Sequence, residues 1–260
     1  MSPLSTVILG AFAGLTVFLG LPIARLNNLS RRLQAFLTAL ANGILIFLLW
    51  DILSKAAEPI TGAIDVAKKG DASQFLILLV LFVAGIGVGL LGLVYFDRVV
   101  IRRNQKNGVA TASQLSLMIA SGIGLHNFSE GLAIGQASHT GAIELATVLV
   151  VGFALHNLTE GFGIAAPFTS GPRPSWAYVG VLGLIAGGPT FLGTVMGYSI
   201  QSPAAFVLCL SLAAGSILYV VGELFHVGRR FQLPEVATWG IFLGLVAGYG
   251  TDLVLTWGGL

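Results

Sequence analysis
The chain has 260 residues, 55% of them hydrophobic and only 9% charged, with a formal net charge of +2 and a mean hydropathy of +0.90. A soluble globular protein carries about 25% charged residues, so this composition excludes a water-coated surface and points to an integral membrane protein. The single cysteine, Cys209, excludes an intramolecular disulfide and any cysteine-rich metal site.

A helix that crosses a bilayer needs about 20 mostly apolar residues. Eight segments meet that rule, at 4–24, 33–54, 75–97, 111–137, 141–166, 176–200, 204–226 and 236–257. The first has no basic residue before Leu4 and no cleavage site, and reads as a retained helix rather than a signal peptide. Long apolar runs without two-residue alternation argue against a β-barrel. The expected fold is therefore an all-α integral membrane protein, with residues 1–260 forming one transmembrane domain. The stretch 55–74, with Lys55, Glu58, Asp65, Lys68, Lys69 and Asp71, reads as a connection holding at most a short amphipathic turn.

Ten of the thirteen basic residues fall in the connections after the first, third, fifth and seventh segments, among them Arg25, Arg98, Arg102, Arg173 and Arg229. The positive-inside rule then places those connections in the cytoplasm and both termini outside, in a multi-pass protein of the cell membrane. That topology accounts for the basic stretch 98–110, so nucleic-acid binding is not needed to explain it. Glycines recur four apart at Gly85 and Gly89, at Gly183 and Gly187, and at Gly240, Gly244 and Gly248. Small residues at that spacing let membrane helices approach closely. They are read as contacts within the chain, with a homodimer interface as the alternative use. Trp50, Trp176, Trp239 and Trp257 fall near segment ends, as interfacial aromatic residues do.

The fourth and fifth segments hold the most informative residues. His126-Asn127-Phe128-Ser129-Glu130-Gly131 recurs thirty residues later as His156-Asn157-Leu158-Thr159-Glu160-Gly161. Both copies lie in apolar sequence, where an unpaired polar group is costly. Residues four apart share a helix face, so His126 pairs with Glu130 and His156 with Glu160, while Asn127 and Asn157 lie on the neighbouring flank. A single buried histidine is most often a hydrogen-bonded core residue. A core knot, however, has no reason to repeat residue for residue on adjacent helices. Facing helices that offer carboxylates and imidazoles build metal sites, and imidazole with carboxylate and amide oxygens suits divalent transition metals. Counted from the segment ends, His156 lies about four residues, roughly 6 Å, nearer the cytoplasm than His126. Ser129 and Thr159 can bond back to the preceding turn, and Gly131 and Gly161 allow close approach or local unwinding.

These residues resemble the ZIP (Zrt-/Irt-like) metal transporters, whose hallmark is His-Asn-x-Pro-Glu-Gly on the fourth helix and a related motif on the fifth. Smaller echoes are Ala13-Gly14-Leu15 to Gly20-Leu21-Pro22, and Ala214-Gly215 to Tyr219-Val220-Val221 with Glu223. The resemblance implies eight helices and metal uptake into the cytoplasm through a central site between the fourth and fifth. His126, Asn127 and Glu130, with His156, Asn157 and Glu160, match its ligands. The departures are Ser129 and Thr159 in place of the motif prolines, Gly187-Gly188-Pro189 where the family has a carboxylate before proline, Ile44 and Leu45 where some relatives have methionine, and no histidine in 98–110. A second metal thus lacks its sixth-helix ligand.

The expected function is transport of divalent transition metal, zinc foremost and also iron, manganese and cadmium, as cargo rather than as a resident cofactor. The chain is not expected to be an enzyme, although the same ligands could serve an intramembrane metal-dependent hydrolase. Glu223 is read as a pathway residue or accessory ligand, and Asp51 and Asp252 as acids at an outer mouth. His226 reads as a solvated interfacial residue.

Overall fold
The computed structural model describes residues 2–26, 30–96, 98–99, 111–139, 143–170, 172–199 and 202–257, and within helices some side chains, those of His156, Thr159 and Asp252 among them, lie outside the described residues. Most of the basic stretch 98–110 is also outside them. In chain order the helices are α1 (Pro3–Leu15), α2 (Val17–Gly20), α3 (Arg31–Ala67), α4 (Ser73–Phe96), α5 (Ala112–His139), α6 (Ile143–Ala165), α7 (Trp176–Ser199), α8 (Pro203–Arg229) and α9 (Pro234–Trp257). All regular structure among the described residues is helical, with short 3-10 turns at Leu21–Arg25 and Ala166–Ser170.

Local chemistry sets the helix starts. Serine hydroxyls cap four of them: Ser2 accepts from the Ser5 amide, Ser30 from Leu33, Ser175 from Tyr178 and Ser202 from Ala205. Such caps satisfy amides that have no partner within the helix. Pro3 and Pro203 follow two of these caps, where a missing N–H costs nothing. Before α4 the Asp71 carboxylate accepts from both the amide and the hydroxyl of Ser73, which holds it below the usual carboxylate range. Between α1 and α2, the Thr16 hydroxyl bonds back to the Ala13 carbonyl at 2.6 Å and interrupts the first segment.

Among the described residues, five stretches are long and apolar enough to cross a membrane by length and composition: Pro3–Arg25, α3, Ser73–Tyr95 of α4, α7 and α8. α5 is not among them, because it carries Ser, Gln, Asn, His and Glu residues. Most of those polar groups face inward. Among the buried residues of α5 are Ser116, His126, Asn127, Ser129 and Glu130. α4 shows the reverse pattern, with Leu76, Ile77, Val80, Val83, Val88 and Leu91 all more than half exposed on an apolar outer face.

α3 departs from the expected boundary at residue 54. It continues without a break to Ala67, a helix of 37 residues, or roughly 55 Å at 1.5 Å per residue. That length exceeds a hydrocarbon core of about 30 Å. The reason lies in a buried stripe that outlasts the apolar run: Ile52, Ala56, Ile60 and Ala63 keep helical spacing, and Ile60 and Ala63 cluster with Leu78 of α4 and Val207 of α8. Pro59 sits inside this helix and removes only its own hydrogen bond to the preceding turn.

The helices sort into two groups. α1, α2, α5, α6 and α7 pack on one another, and so do α3, α4, α8 and α9; α5 on α8, and α6 on α3 and α9, join the groups. Glycine marks the seams. A methyl at Gly131 would lie 2.1 Å from the Thr190 carbonyl, at Gly193 2.0 Å from the Phe128 carbonyl, and at Gly197 2.2 Å from the Leu132 carbonyl, so α5 and α7 touch backbone to backbone. Gly14 and Gly187 join α1 to α7 in the same manner, and Gly20 and Gly161 join α2 to α6. In the other group Gly85, Gly89 and Gly215 seat α4 on α8, and Gly43, Gly240, Gly244 and Gly248 seat α9 on α3. Gly85, Gly89, Gly183, Gly187, Gly240, Gly244 and Gly248 are thus all used inside the chain.

Trp50, Trp176, Trp239 and Trp257 are each more than half exposed. The Arg25 guanidinium stacks 4.8 Å from the Trp176 ring centroid and donates to the Pro174 carbonyl, tying the end of the first segment to the start of α7.

Candidate metal site
α5 and α6 are consecutive and joined by a short connection, so they run antiparallel. One hydrogen bond ties the two motifs together, from the Asn127 amide nitrogen to the Glu160 carboxylate at 3.0 Å. In the structure His126 lies thirteen residues before the end of α5 at His139 and position 156 lies thirteen residues after the start of α6 at Ile143, so the four-residue offset expected from the apolar segments comes from their misplaced ends.

The motif glycines do the same job on opposite sides. Gly131 lets α5 reach α7, and Gly161 lets α6 reach α2. Both remain helical, so close approach rather than unwinding is their use. With backbone contact on the outer flanks, the polar residues are left in the middle. Glu160, Asn127 and Asn157 are completely buried, His126 is 3% exposed and Glu130 5%. The His126 imidazole lies 3.2 Å from the Glu130 carboxylate, one turn along α5. Ser129 returns its hydroxyl to the Leu125 carbonyl at 3.4 Å.

The two asparagines are oriented by acceptors that cannot donate. Asn127 gives its amide N–H groups to Glu160 and, at 3.1 Å, to the Ala186 carbonyl of α7. Pro189 lies in this same part of α7 and lacks the N–H that would close the local turn. Asn157 donates at 2.9 Å to the Ala13 carbonyl, the same oxygen that holds the Thr16 break. In each amide the nitrogen is fixed, so the carbonyl oxygen must point elsewhere. Among the described residues, the Oδ1 atoms of Asn127 and Asn157 and the Oε2 atom of Glu130 are buried with no hydrogen-bond partner. Buried acceptors without donors are costly, and three of them from one pair of motifs form an electron-rich set.

Charge adds to that cost. Glu130 and Glu160 are close enough to interact electrostatically, and two buried carboxylates need a counter-cation in a low-dielectric interior. Among the described residues, no three or more His, Cys, Asp and Glu side chains come together as a metal-binding group. His156 lies on α6 by its backbone, and its side chain is outside the described residues.

A cleft of about 240 Å³ opens onto this region. It is lined by His126, Ser129 and Glu130 of α5, Phe153 of α6, Phe206 and Leu210 of α8, and Lys55 and Glu58 of α3. The last two were read in the sequence as loop charges. Their signal was present as the continuing four-residue spacing from Asp51 to Lys55 and from Ile52 to Ala56. Asp51 itself is engaged by Lys55 at 2.8 Å. Glu223 is half-buried on α8 and lines neither this cleft nor the one at the opposite end of the molecule around Asn42 and Arg229. His226 is exposed, 3.1 Å from the Arg230 guanidinium.

An apolar helical bundle that buries carboxylates, imidazole and amide oxygens together belongs to the proteins that handle cations inside a membrane. Residues 102–245 match the ZIP zinc transporter family, and the chain belongs to that family. Membership implies transport of divalent metal across a membrane and lends no support to the hydrolase reading. No curated protein matches the chain.

Proposed function
We propose that the chain carries zinc, and with it iron, manganese and cadmium, across the cell membrane toward the cytoplasm through a site between α5 and α6. His126, Asn127 and Glu130 of one motif and His156, Asn157 and Glu160 of the other hold the ion. Its eight spans are α1 with α2, and then α3 to α9 individually, within a single domain and with both termini outside.

The observation that carries this reading is the pair of buried asparagine carbonyl oxygens. Each amide is locked by its nitrogen, leaving a buried acceptor that a cation satisfies. Glu130 and Glu160 supply the two negative charges that balance a divalent ion. The imidazoles favour borderline metals over magnesium and calcium. An ion arriving through the cleft meets Glu58 at its exposed mouth and Glu130 at its floor. Release to the other side follows a shift of the α5–α6 group against the α3–α8 group.

Purified full-length protein in liposomes is expected to accumulate radiolabelled zinc above protein-free vesicles, with cobalt, iron and manganese tested as competitors. Glu130→Ala is expected to reduce that uptake at least a hundredfold, the scale of losing one buried charge from a divalent site (roughly 3 kcal/mol). Uptake by Glu130→Ala equal to wild type would overturn the site.

A further inference from the structure
The wall of the cleft opposite His126 and Glu130 carries a cation of its own. Lys55 lines it from α3, beside Glu58, and its ammonium lies 2.8 Å from the Asp51 carboxylate. Asp51 is only 13% exposed and Lys55 39%, so the pair is partly withdrawn from water. Both residues act electrostatically on His126 and on Glu130, with opposite signs. The ammonium also belongs to the group of helices that does not carry the motifs, and faces them across the joint between the groups.

A lysine is a poor residue for the wall of a passage that gathers cations, because it lowers the local concentration of the ions meant to pass. Its ion pair with Asp51 does not explain the placement either, since half-exposed pairs of this i,i+4 kind contribute little to stability. Its position is explained by the charge of the site. Two buried carboxylates with no metal between them need positive charge nearby, and Lys55 is a tethered source of it, kept within reach and restrained by Asp51.

We propose that Lys55 is the built-in counter-cation of the metal site, balancing its carboxylates between transport events and setting the threshold that an incoming ion must exceed. The proposal rests on the transport reading given above. A monovalent ion offers the carboxylates no more charge than the tethered ammonium already gives, and loses to it through the lysine's high effective concentration. A divalent ion with affinity for imidazole exceeds that threshold. Asp51 is the restraint: it holds the ammonium on the α3 side of the cleft and leaves room for the metal.

The two residues therefore have opposite effects. Lys55→Met, which keeps length and loses charge, is expected to tighten zinc binding about tenfold and to make uptake sensitive to excess sodium or potassium. Asp51→Asn releases the ammonium toward the site and is expected to weaken zinc binding several-fold. Lys55→Arg keeps the charge and is expected to behave as wild type. An ion pair of purely structural value predicts instead that both neutral variants move binding in the same direction and lower the melting temperature alike. Zinc affinity is read by calorimetry on purified full-length protein, and KM by liposome uptake with and without excess sodium. Unchanged or weaker zinc binding by Lys55→Met, or shifts of the same sign in both neutral variants, would overturn the proposal. Calorimetry separates this failure from failure of the transport reading, because zinc binding responds to Lys55 even in a protein that moves no zinc.

Discussion
Glu160→Gln protein is expected to fold as wild type does and to take up no measurable zinc. Glu160 is wholly buried and accepts from Asn127 at 3.0 Å. Glutamine keeps an oxygen in the accepting position, so the bond between α5 and α6 survives the substitution. What is lost is the charge. A unit negative charge about 4 Å from a divalent ion contributes on the order of 8 kcal/mol at an effective dielectric of 20, before desolvation reduces the figure. Even a third of that corresponds to about a hundredfold in affinity. The expected outcome is a melting temperature within about 2 °C of wild type, with zinc affinity and uptake reduced a hundredfold or more. Wild-type zinc affinity in a well-folded Glu160→Gln protein would remove Glu160 from the site. Asn127→Leu serves as a contrasting variant, because it breaks the interhelix bond and is expected to reduce stability and binding together.

The second large effect is steric. Gly193→Ala places a methyl carbon 2.0 Å from the Phe128 carbonyl oxygen and 2.9 Å from its carbon. Both are backbone atoms of α5, which cannot rotate away as a side chain could. Relief requires α7 and α5 to separate, and the neighbouring contacts at Gly131, Gly135 and Gly197 separate with them. Overpacking of this kind costs about 1–3 kcal/mol where side chains can adjust, and about 3 kcal/mol or more is expected where they cannot. Gly188→Ala is the matched control on the same helix, because a methyl there meets no atom within 4 Å. Alanine also favours a helix over glycine by about 1 kcal/mol. Thermal unfolding in detergent should show Gly193→Ala lower by several degrees and Gly188→Ala equal to or above wild type. Equal melting temperatures for the two would show that the α5–α7 seam is looser than the backbone contacts require.

The candidate site was legible in the sequence because its information is local and repeated. His, Asn and Glu at one-turn spacing in apolar sequence, written twice, need no tertiary knowledge to be noticed. Segment existence was equally legible, since the apolar runs of α3, α4, α7 and α8 follow directly from the cost of placing polar groups in lipid. Two things were not. The end of α3 was hidden because Lys55, Glu58 and Asp65 interrupt the hydropathy while Ile52, Ala56, Ile60 and Ala63 keep the helical stripe. The link between the two motifs was hidden because it is a side-chain bond between helices, Asn127 to Glu160, which hydropathy does not reveal. Together these hid the cleft, whose walls come from both sources.

The glycine seams have a mechanical consequence. The contacts that would bring a methyl within 3 Å of a neighbour all lie inside one or other helix group. Across the joint the described glycines sit at ordinary distances, with a methyl at Gly122 3.5 Å from the Ser216 β-carbon and one at Gly163 4.0 Å from that of Ala41. Backbone seams resist shear, because sliding one helix past another drives a carbonyl into the next residue. A joint of side chains at van der Waals distance resists it far less. The molecule is thus stiff within its groups and smooth between them, and the smooth joint is where a reducible clamp would act. The Gly122–Ser216 separation lies within the β-carbon spacing of a disulfide, and Cys209 is the only cysteine already present. A cysteine pair at those two positions would fasten the two groups to each other while leaving every seam untouched.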